Sequence, residues 1–364
     1  MSTISEVLGD IPTRSHAEAM EDIQLWWRAG RAVFLWGPPG IGKSTLCRQA
    51  AAMAGIEQVC EIDTPQLQPY DYALAVPDHT VERVKLYKSG FLPEVGPAVV
   101  IFEELNRAKH YQQIPALQII LDNRIGPLKL PKDCHYIASG NRDIDDPGVV
   151  PLGAALLNRF AHIEIRADAE QWANNFAATN GIHESIVSFN LAYPQYHLEK
   201  VPETQRPFAT PRSWHFLSDA VSLIDPLDPN RFTRMGELAQ QVVGPTAASA
   251  YAAYMKTLSI VDAEAVLHHG KLPNLDELER SNLYGVTVSV ALRAQSMGEK
   301  LVQHAQNFYA FFDALPGDFK TTFLFFYVQY GTGNRGQKYL IHRKIKEMLT
   351  PEQKQKMDRA IDVG

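Results

Sequence analysis

The segment Gly37-Pro38-Pro39-Gly40-Ile41-Gly42-Lys43-Ser44-Thr45 spaces glycines, a cation and hydroxyls as a polyphosphate cradle requires. Glycine lacks a Cβ, so successive backbone N–H groups can approach an anion closely. Lys43 adds a point charge, and Ser44 stands where a hydroxyl ligates Mg²⁺. A Gly/Pro turn with a solvated lysine would give the same bare pattern, so the flanks decide. Val33-Phe-Leu-Trp36 is an apolar strand entering the loop, and Ser44 to Ala54 is Ala-rich and free of Gly and Pro, as a helix leaving it should be. The amides and dipole at that helix start also favour an anion.

Hydrolysis of a bound nucleotide needs a carboxylate for the Mg²⁺ shell and a group to orient the attacking water. Ala98-Val-Val-Ile-Phe102 reads as a central strand buried on both faces, and it ends abruptly in Glu103-Glu104. Ligands in open α/β sheets bind at the carboxyl ends of strands, which places these acids in the crevice with Lys43. On that reading Glu103 faces the metal and Glu104 the water; the alternative is two solvated acids opening a helix.

Asn141, after the strand His135 to Ser139, could hydrogen-bond both a phosphate oxygen and water, although a turn residue suits the position equally. Arg159 closes an apolar helix, where a cation also suits the dipole. Arg212 follows Thr210-Pro211 in the first turn of a helix, the unfavourable end for a cation unless an anion compensates it.

The elements that must position these groups alternate between strand and helix from Arg31 to about Arg166, the pattern of a mainly parallel sheet covered on both faces. Strands are predicted at Ala32 to Trp36, Gln58 to Ile62, Ala98 to Phe102, His135 to Ser139 and His162 to Ile165. Helices are predicted at Ser44 to Ala54, His110 to Asp122 and Leu152 to Arg159, with Pro115 expected to kink or delay the second. Residues 64–95 interrupt the order with four prolines around a partly alternating stretch, Val81 to Tyr87, read as an inserted loop or hairpin. After Ala167 the periodicity turns helical, through Gln171 to Asn180, Glu184 to Ala192 and Arg212 to Leu223, with breaks at Asp225 to Asn230 and His268 to Pro273. Thr350-Pro-Glu-Gln353 has the composition of a helix start. The Ala247 to Ala253 run and the aromatic stretches Phe308 to Phe312 and Phe319 to Tyr330 read as helix packing and core.

A chain of 364 residues with 45% apolar content is long enough for two or three domains. Its net charge of −6 contains no block of like charge, which argues against a nucleic-acid tail or an anionic-membrane surface. Three scattered cysteines suit reduced residues of a cytosolic protein better than disulfides or zinc. With no signal peptide and no run near the roughly eighteen apolar residues of a membrane span, a soluble, cytoplasmic protein is expected.

The order of these motifs resembles the AAA+ ATPases, and more narrowly the MoxR-like branch grouped with dynein-related ATPases. The phosphate loop, Glu104-Leu-Asn-Arg-Ala108 after the acid strand, the Asn141 strand, Leu156-Leu-Asn-Arg159-Phe160 and Ala209-Thr-Pro-Arg212 occur in that family's order, over about residues 20–250. Leu67-Gln-Pro-Tyr-Asp71 and Phe91-Leu-Pro93 in the insert resemble the same branch.

The resemblance implies an α/β P-loop domain over residues 20–167 after an N-terminal segment at 1–19, a helical lid at 168–260 and a further helical region at 261–364. It implies that Glu103 takes the Walker B acid position, Glu104 is the catalytic glutamate, Asn141 is sensor 1, Arg159 is the arginine finger for a neighbouring subunit and Arg212 is sensor 2. ATP and Mg²⁺ are then the expected ligands, bound between protomers of a hexameric ring. One position departs from the pattern: the family generally has Asp where this chain has Glu103, which moves the carboxylate by about one C–C bond.

An ATP-driven remodeller of a protein client, often with a partner carrying a von Willebrand factor A domain, is the first expectation, with Arg83, Lys85, Lys88 and Phe91 of the insert contacting the client or lining the ring. A motor in a DNA-processing or defence complex is the alternative, with the acidic charge against it; a slow nucleotide-dependent assembly switch is a third. Arg107, Arg124 and Arg142 are further candidates to reach a subunit interface.

Overall fold

Continuous apolar runs with β-branched residues favour strands buried on both faces, and in a computed structural model of the protein four of them form the middle of one sheet. The structure describes residues 11–81, 83–225, 228–260, 263–329 and 335–361; residues 1–10 of the N-terminal segment, and Glu82, Pro226, Leu227 and Tyr330 of the stretches read above, lie outside the described residues. Contacts divide the chain once, into Met1–Asp168 and Ala169–Gly364.

In the first unit, strands β1 (Thr13–Arg14), β2 (Ala32–Trp36), β3 (Gln58–Asp63), β6 (Ala98–Glu103), β9 (Cys134–Gly140) and β10 (Phe160–Ile165) pair in the order β1-β10-β2-β9-β6-β3. Every pair in this sheet is parallel, so all six carboxyl ends share one edge. Alternation assigns the two faces. Phe34, Trp36, Phe102, Tyr136 and Phe160 join one core cluster, while helices α1 (His16–Arg28) and α2 (Lys43–Met53) pack on the sheet with Ile23, Trp27, Leu46 and Ala50 buried. The Gln24 side chain donates to Ala50 O at 2.8 Å and ties these helices together. Ser15 caps α1 reciprocally with Glu18, an arrangement that typically contributes about 1 kcal/mol.

Helix α3 (His110–Asp122) starts where the sequence places it and runs through Pro115, which is buried. The expected delay does not occur, because the Lys109 N–H is held by Gln112 Oε1 at 2.9 Å and secures the first turn. The Gln112 amide also donates to Pro65 O and Leu67 O, both at 2.9 Å, fastening the insert to the domain. Within the insert, β4 (Ala73–Asp78) and β5 (Arg83–Lys88) form an antiparallel hairpin, followed later by the short pair β7 (Arg124–Ile125) and β8 (Leu128–Lys129). Phe91 is half-buried against the core and meets Tyr72 edge-on at 5.5 Å, because an aromatic ring gains more in the core than in water. Lys88 likewise turns back to Pro93 O and Glu94. Helix α4 is shorter than the predicted Leu152 to Arg159, covering Ala154–Leu157 between Gly153 and Asn158.

The second unit is helical: α5 (Glu184–Ala192), α6 (Pro211–Val221), α7 (Arg231–Val242), α8 (Pro245–Ile260), α9 (Ala263–His269), α10 (Arg280–Met297), α11 (Ala305–Ala314), α12 (Gly317–Leu324), α13 (Arg335–Glu347) and α14 (Pro351–Ile361). Its apolar core is continuous from Ala173 to Met357, with α10 packed against α5, α8, α9 and α12, so helices on either side of residue 260 share that core. Phe308, Phe311, Phe312, Phe323 and Phe326 are fully buried in it. Small residues bring α7 and α8 together: a Cβ added at Gly236 would lie 2.9 Å from Ala252 Cβ. Thr350 and Gln353 close the capping box that starts α14. Among the described residues no helix is long and apolar enough to cross a membrane.

Candidate nucleotide site

The loop after β2 turns with Gly40 at φ 77° and Gly42 at φ 102°, conformations that side chains other than glycine rarely adopt. A Cβ at Gly42 would also lie 3.2 Å from His16 Nε2. That imidazole, in the first turn of α1, hydrogen-bonds the Ile41 backbone, and burial pushes its pKa below the ordinary value. Gly42 caps α2 without a side-chain hydrogen bond, so no side chain competes there for the amides of the first turn. Lys43 Nζ donates to Gly37 O at 2.8 Å, Pro38 O at 3.1 Å and Asn141 Oδ1 at 2.9 Å. Pro38 is buried, whereas Pro39, Gly40, Ser44 and Thr45 are half-buried.

β2, β9 and β6 deliver the remaining groups to one edge, with Trp36 opposite Gly140 and Phe102 opposite Ala138. Ser139 links the two acids: its hydroxyl donates to Glu103 Oε2 at 2.5 Å and accepts from the Glu104 N–H at 3.2 Å. Glu103 Oε1 is buried with no hydrogen-bond partner among the described residues. A buried carboxylate oxygen without a donor is costly unless a cation meets it, so the acid position fits Mg²⁺, with Glu in place of Asp. Cys47 lies one turn beyond Lys43, and its thiol pKa is pushed well up, first by burial and then by the Glu103 charge. Glu104 occupies left-handed backbone, φ 49° and ψ 38°, at a cost of about 1–2 kcal/mol for a residue with a side chain. The bend turns its carboxylate out of the strand, where it is 45% exposed and meets Arg107 Nη1 at 3.0 Å.

Asn141 is held from both sides. Asn106, fully buried, donates to Asn141 O at 2.7 Å and accepts from the Asn141 N–H at 3.2 Å. Gly140 makes this possible, since a Cβ there would lie 2.4 Å from Asn106 Oδ1 and 2.7 Å from Phe34 Cζ. The Asn141 side chain meets Lys43 through Oδ1 and Asp146 Oδ2 through Nδ2 at 3.3 Å. Asp146 Oδ2 in turn takes Arg107 Nε at 3.1 Å.

Lys43, Asn141, Glu103 and Glu104 are thus gathered at one sheet edge, and Arg159 and Arg212 share none of these contacts. Arg159 is exposed just after α4, and its side chain has no hydrogen bond or ion pair among the described residues. His162 secures the helix end beside it, with Nε2 donating to Leu157 O at 2.8 Å and Nδ1 accepting from Trp36 Nε1 at 2.9 Å. Burial lowers the pKa of that imidazole, which keeps this neutral tautomer. Arg212 belongs to the second unit, exposed in the first turn of α6. Of the other arginines, Arg142 is bound internally to Asp145 and Glu164, both at 2.5 Å, and Arg124 to Asp122 at 2.9 Å.

Sequence reasoning passed over Ser139, Asn106, Gly140 and Asp146. Strand alternation after β9 and the Asp-Ile-Asp-Asp run were the available signals; the pairings across strands were not.

Residues 33–165 match the model of the ATPase family associated with various cellular activities (AAA). Among solved structures, the chain is similar to a RuvB mutant from Thermotoga maritima, with 16% identity, 78% of this chain and 92% of that chain covered, and a TM-score of 0.37. It is also similar to a putative ATPase from Cytophaga hutchinsonii, with 13% identity, 94% and 93% coverage, and a TM-score of 0.33. No curated protein matches it.

Proposed function

We propose that the AAA ATPase-family domain at residues 33–165 binds and hydrolyses Mg·ATP between protomers of a homo-oligomeric ring, and that turnover drives the remodelling of a protein partner. The observation that carries the reading is the convergence, at the carboxyl edge of β2, β9 and β6, of Lys43, Asn141, the unpartnered Glu103 oxygen and the outward-turned Glu104.

The amides of the Gly40–Lys43 turn and the start of α2 bind the phosphates. Lys43 exchanges the Gly37 and Pro38 carbonyls for phosphate oxygens, which offer it a stronger, charge-assisted bond. Ser44 and Glu103 would hold Mg²⁺, which when bound neutralises charge on the β- and γ-phosphate oxygens. Glu104 accepts a hydrogen bond from water and aligns it for attack, and Asn141 bonds the γ-phosphate. Arg159 from the neighbouring protomer stabilises the charge that develops as the γ-phosphoryl group is transferred to water. The exposed, unpaired state of Arg159 supports a role across an interface.

Mixing two inactive variants tests the shared site. Glu104→Gln and Arg159→Ala each lose turnover alone; equimolar mixtures recover a measurable fraction, because some interfaces then combine an intact glutamate with an intact arginine. Light scattering on the same samples reports assembly. Mixtures that assemble yet stay silent would contradict the shared site.

A further inference from the structure

The hydrogen bonds around Asn141 continue past it in an unbroken run: Lys43 to Asn141, Asn141 to Asp146, Asp146 to Arg107, and Arg107 to Glu104. Asp146 and Arg107 lie at the middle of that run. We propose that Arg107 and Asp146 are positioning residues that relay occupancy of the phosphate loop to the carboxylate of Glu104, an inference that rests on the hydrolytic reading above.

The chemistry of the five side chains gives the relay its direction. Asp146 Oδ2 is shared by two donors, Asn141 Nδ2 and Arg107 Nε, while its Oδ1 is anchored by the Gly148 N–H at 2.9 Å. Arg107 grips two carboxylates with one rigid fork, Nε on Asp146 and Nη1 on Glu104, a geometry that a lysine cannot reproduce. When a γ-phosphate takes Lys43 and the Asn141 amide, Asp146 loses a donor and binds the guanidinium more strongly. Arg107 is drawn toward Asp146 and, still bound to Glu104 through Nη1, swings that carboxylate toward water, so Glu104 is set for attack only when phosphate is present.

Burial sets where this matters. Asp146 is 16% exposed, so its bonds are poorly replaced by solvent, whereas Glu104 and Arg107 are each 45% exposed and their pair contributes little to stability. Hydrogen bonding to Glu104 raises the Arg107 pKa further, so the guanidinium stays charged throughout. Removing the fork therefore changes the orientation of Glu104 more than the stability of the fold.

The test uses the full chain and measures steady-state Mg·ATP hydrolysis, affinity for a non-hydrolysable ATP analogue, thermal unfolding and mass for Arg107→Ala, Arg107→Lys, Asp146→Asn and the Arg107→Ala/Asp146→Asn double variant. The relay predicts that kcat falls about tenfold in each single variant while KM, analogue affinity, melting and assembly hold. It predicts that Lys does not restore turnover and that the double variant is no slower than the worse single, because both act through one run of bonds. Restoration by Lys, or losses that multiply in the double variant, would overturn it. If wild type turns over, Glu104→Gln is silent and the Arg107 and Asp146 variants match wild type, the relay alone fails. If wild type binds the analogue but never hydrolyses ATP, the hydrolytic reading fails and the relay with it.

Discussion

Glycine 140 has no chemistry of its own, yet the site depends on its missing Cβ. Asn106 approaches so closely that a methyl group would sit 2.4 Å from its Oδ1, and Asn106 is the clamp on the Asn141 backbone. Gly140→Ala is expected to destabilise the fold by about 1–3 kcal/mol, seen as a lower melting temperature, and to cut ATP turnover by displacing Asn141. A variant that melts and turns over like wild type would show that Asn106 can yield. At this scale the sequence was legible wherever a side chain carries charge within a local motif. Lys43, Glu103 and Glu104 could be named from spacing and their flanking elements, and Asn141 only as one of two equal readings. Gly140, Asn106, Ser139 and Asp146 could not, because their roles come from contacts between strands far apart in the chain, such as Asn106 with Asn141 and Ser139 with Glu103.

Secondary structure elements were legible in proportion to how local their causes are. The strand Ala32–Trp36 and the helices His110–Asp122 and Glu184–Ala192 fall where periodicity and capping place them. The short strand β1 and the pair β7–β8 had no periodic signal, since two residues cannot display one. α13 carries a different consequence of burial. His342 is 7% exposed, neither ring nitrogen has a hydrogen-bond partner among the described residues, and burial drives its pKa down to about 4 from 6.5. Between those values the unfolded chain binds a proton that the folded one refuses. Stability from this group is therefore complete above about pH 6.5 and is lost as pH falls toward 4, by roughly 3 kcal/mol in all. Replacing His342 with Phe removes that dependence and keeps an aromatic beside Tyr327. Denaturant melts at pH 7 and pH 4.5 should show a smaller loss in the variant than in wild type; equal losses would mean that the imidazole is solvated.

For the whole molecule, composition alone indicated a globular chain with more than one domain, and its contacts divide it at Asp168 into a sheet unit and a helical unit. The helical unit was legible as helices and not as chemistry: its aromatic stretches became core, and among the proposed site residues it supplies only Arg212. What the protein acts on was not legible, because recognition of a partner depends on surfaces assembled from several elements. The central claim, that the gathered side chains hydrolyse ATP, is testable without knowing that partner. Phosphate release from Mg·ATP by wild type and by Glu104→Gln, with nucleotide affinity measured in parallel, tests it most directly. The account predicts turnover by wild type, a loss of at least about a hundredfold in the variant, and ATP affinity retained by both. Equal rates in the two proteins, or release by neither while nucleotide stays bound, would contradict it.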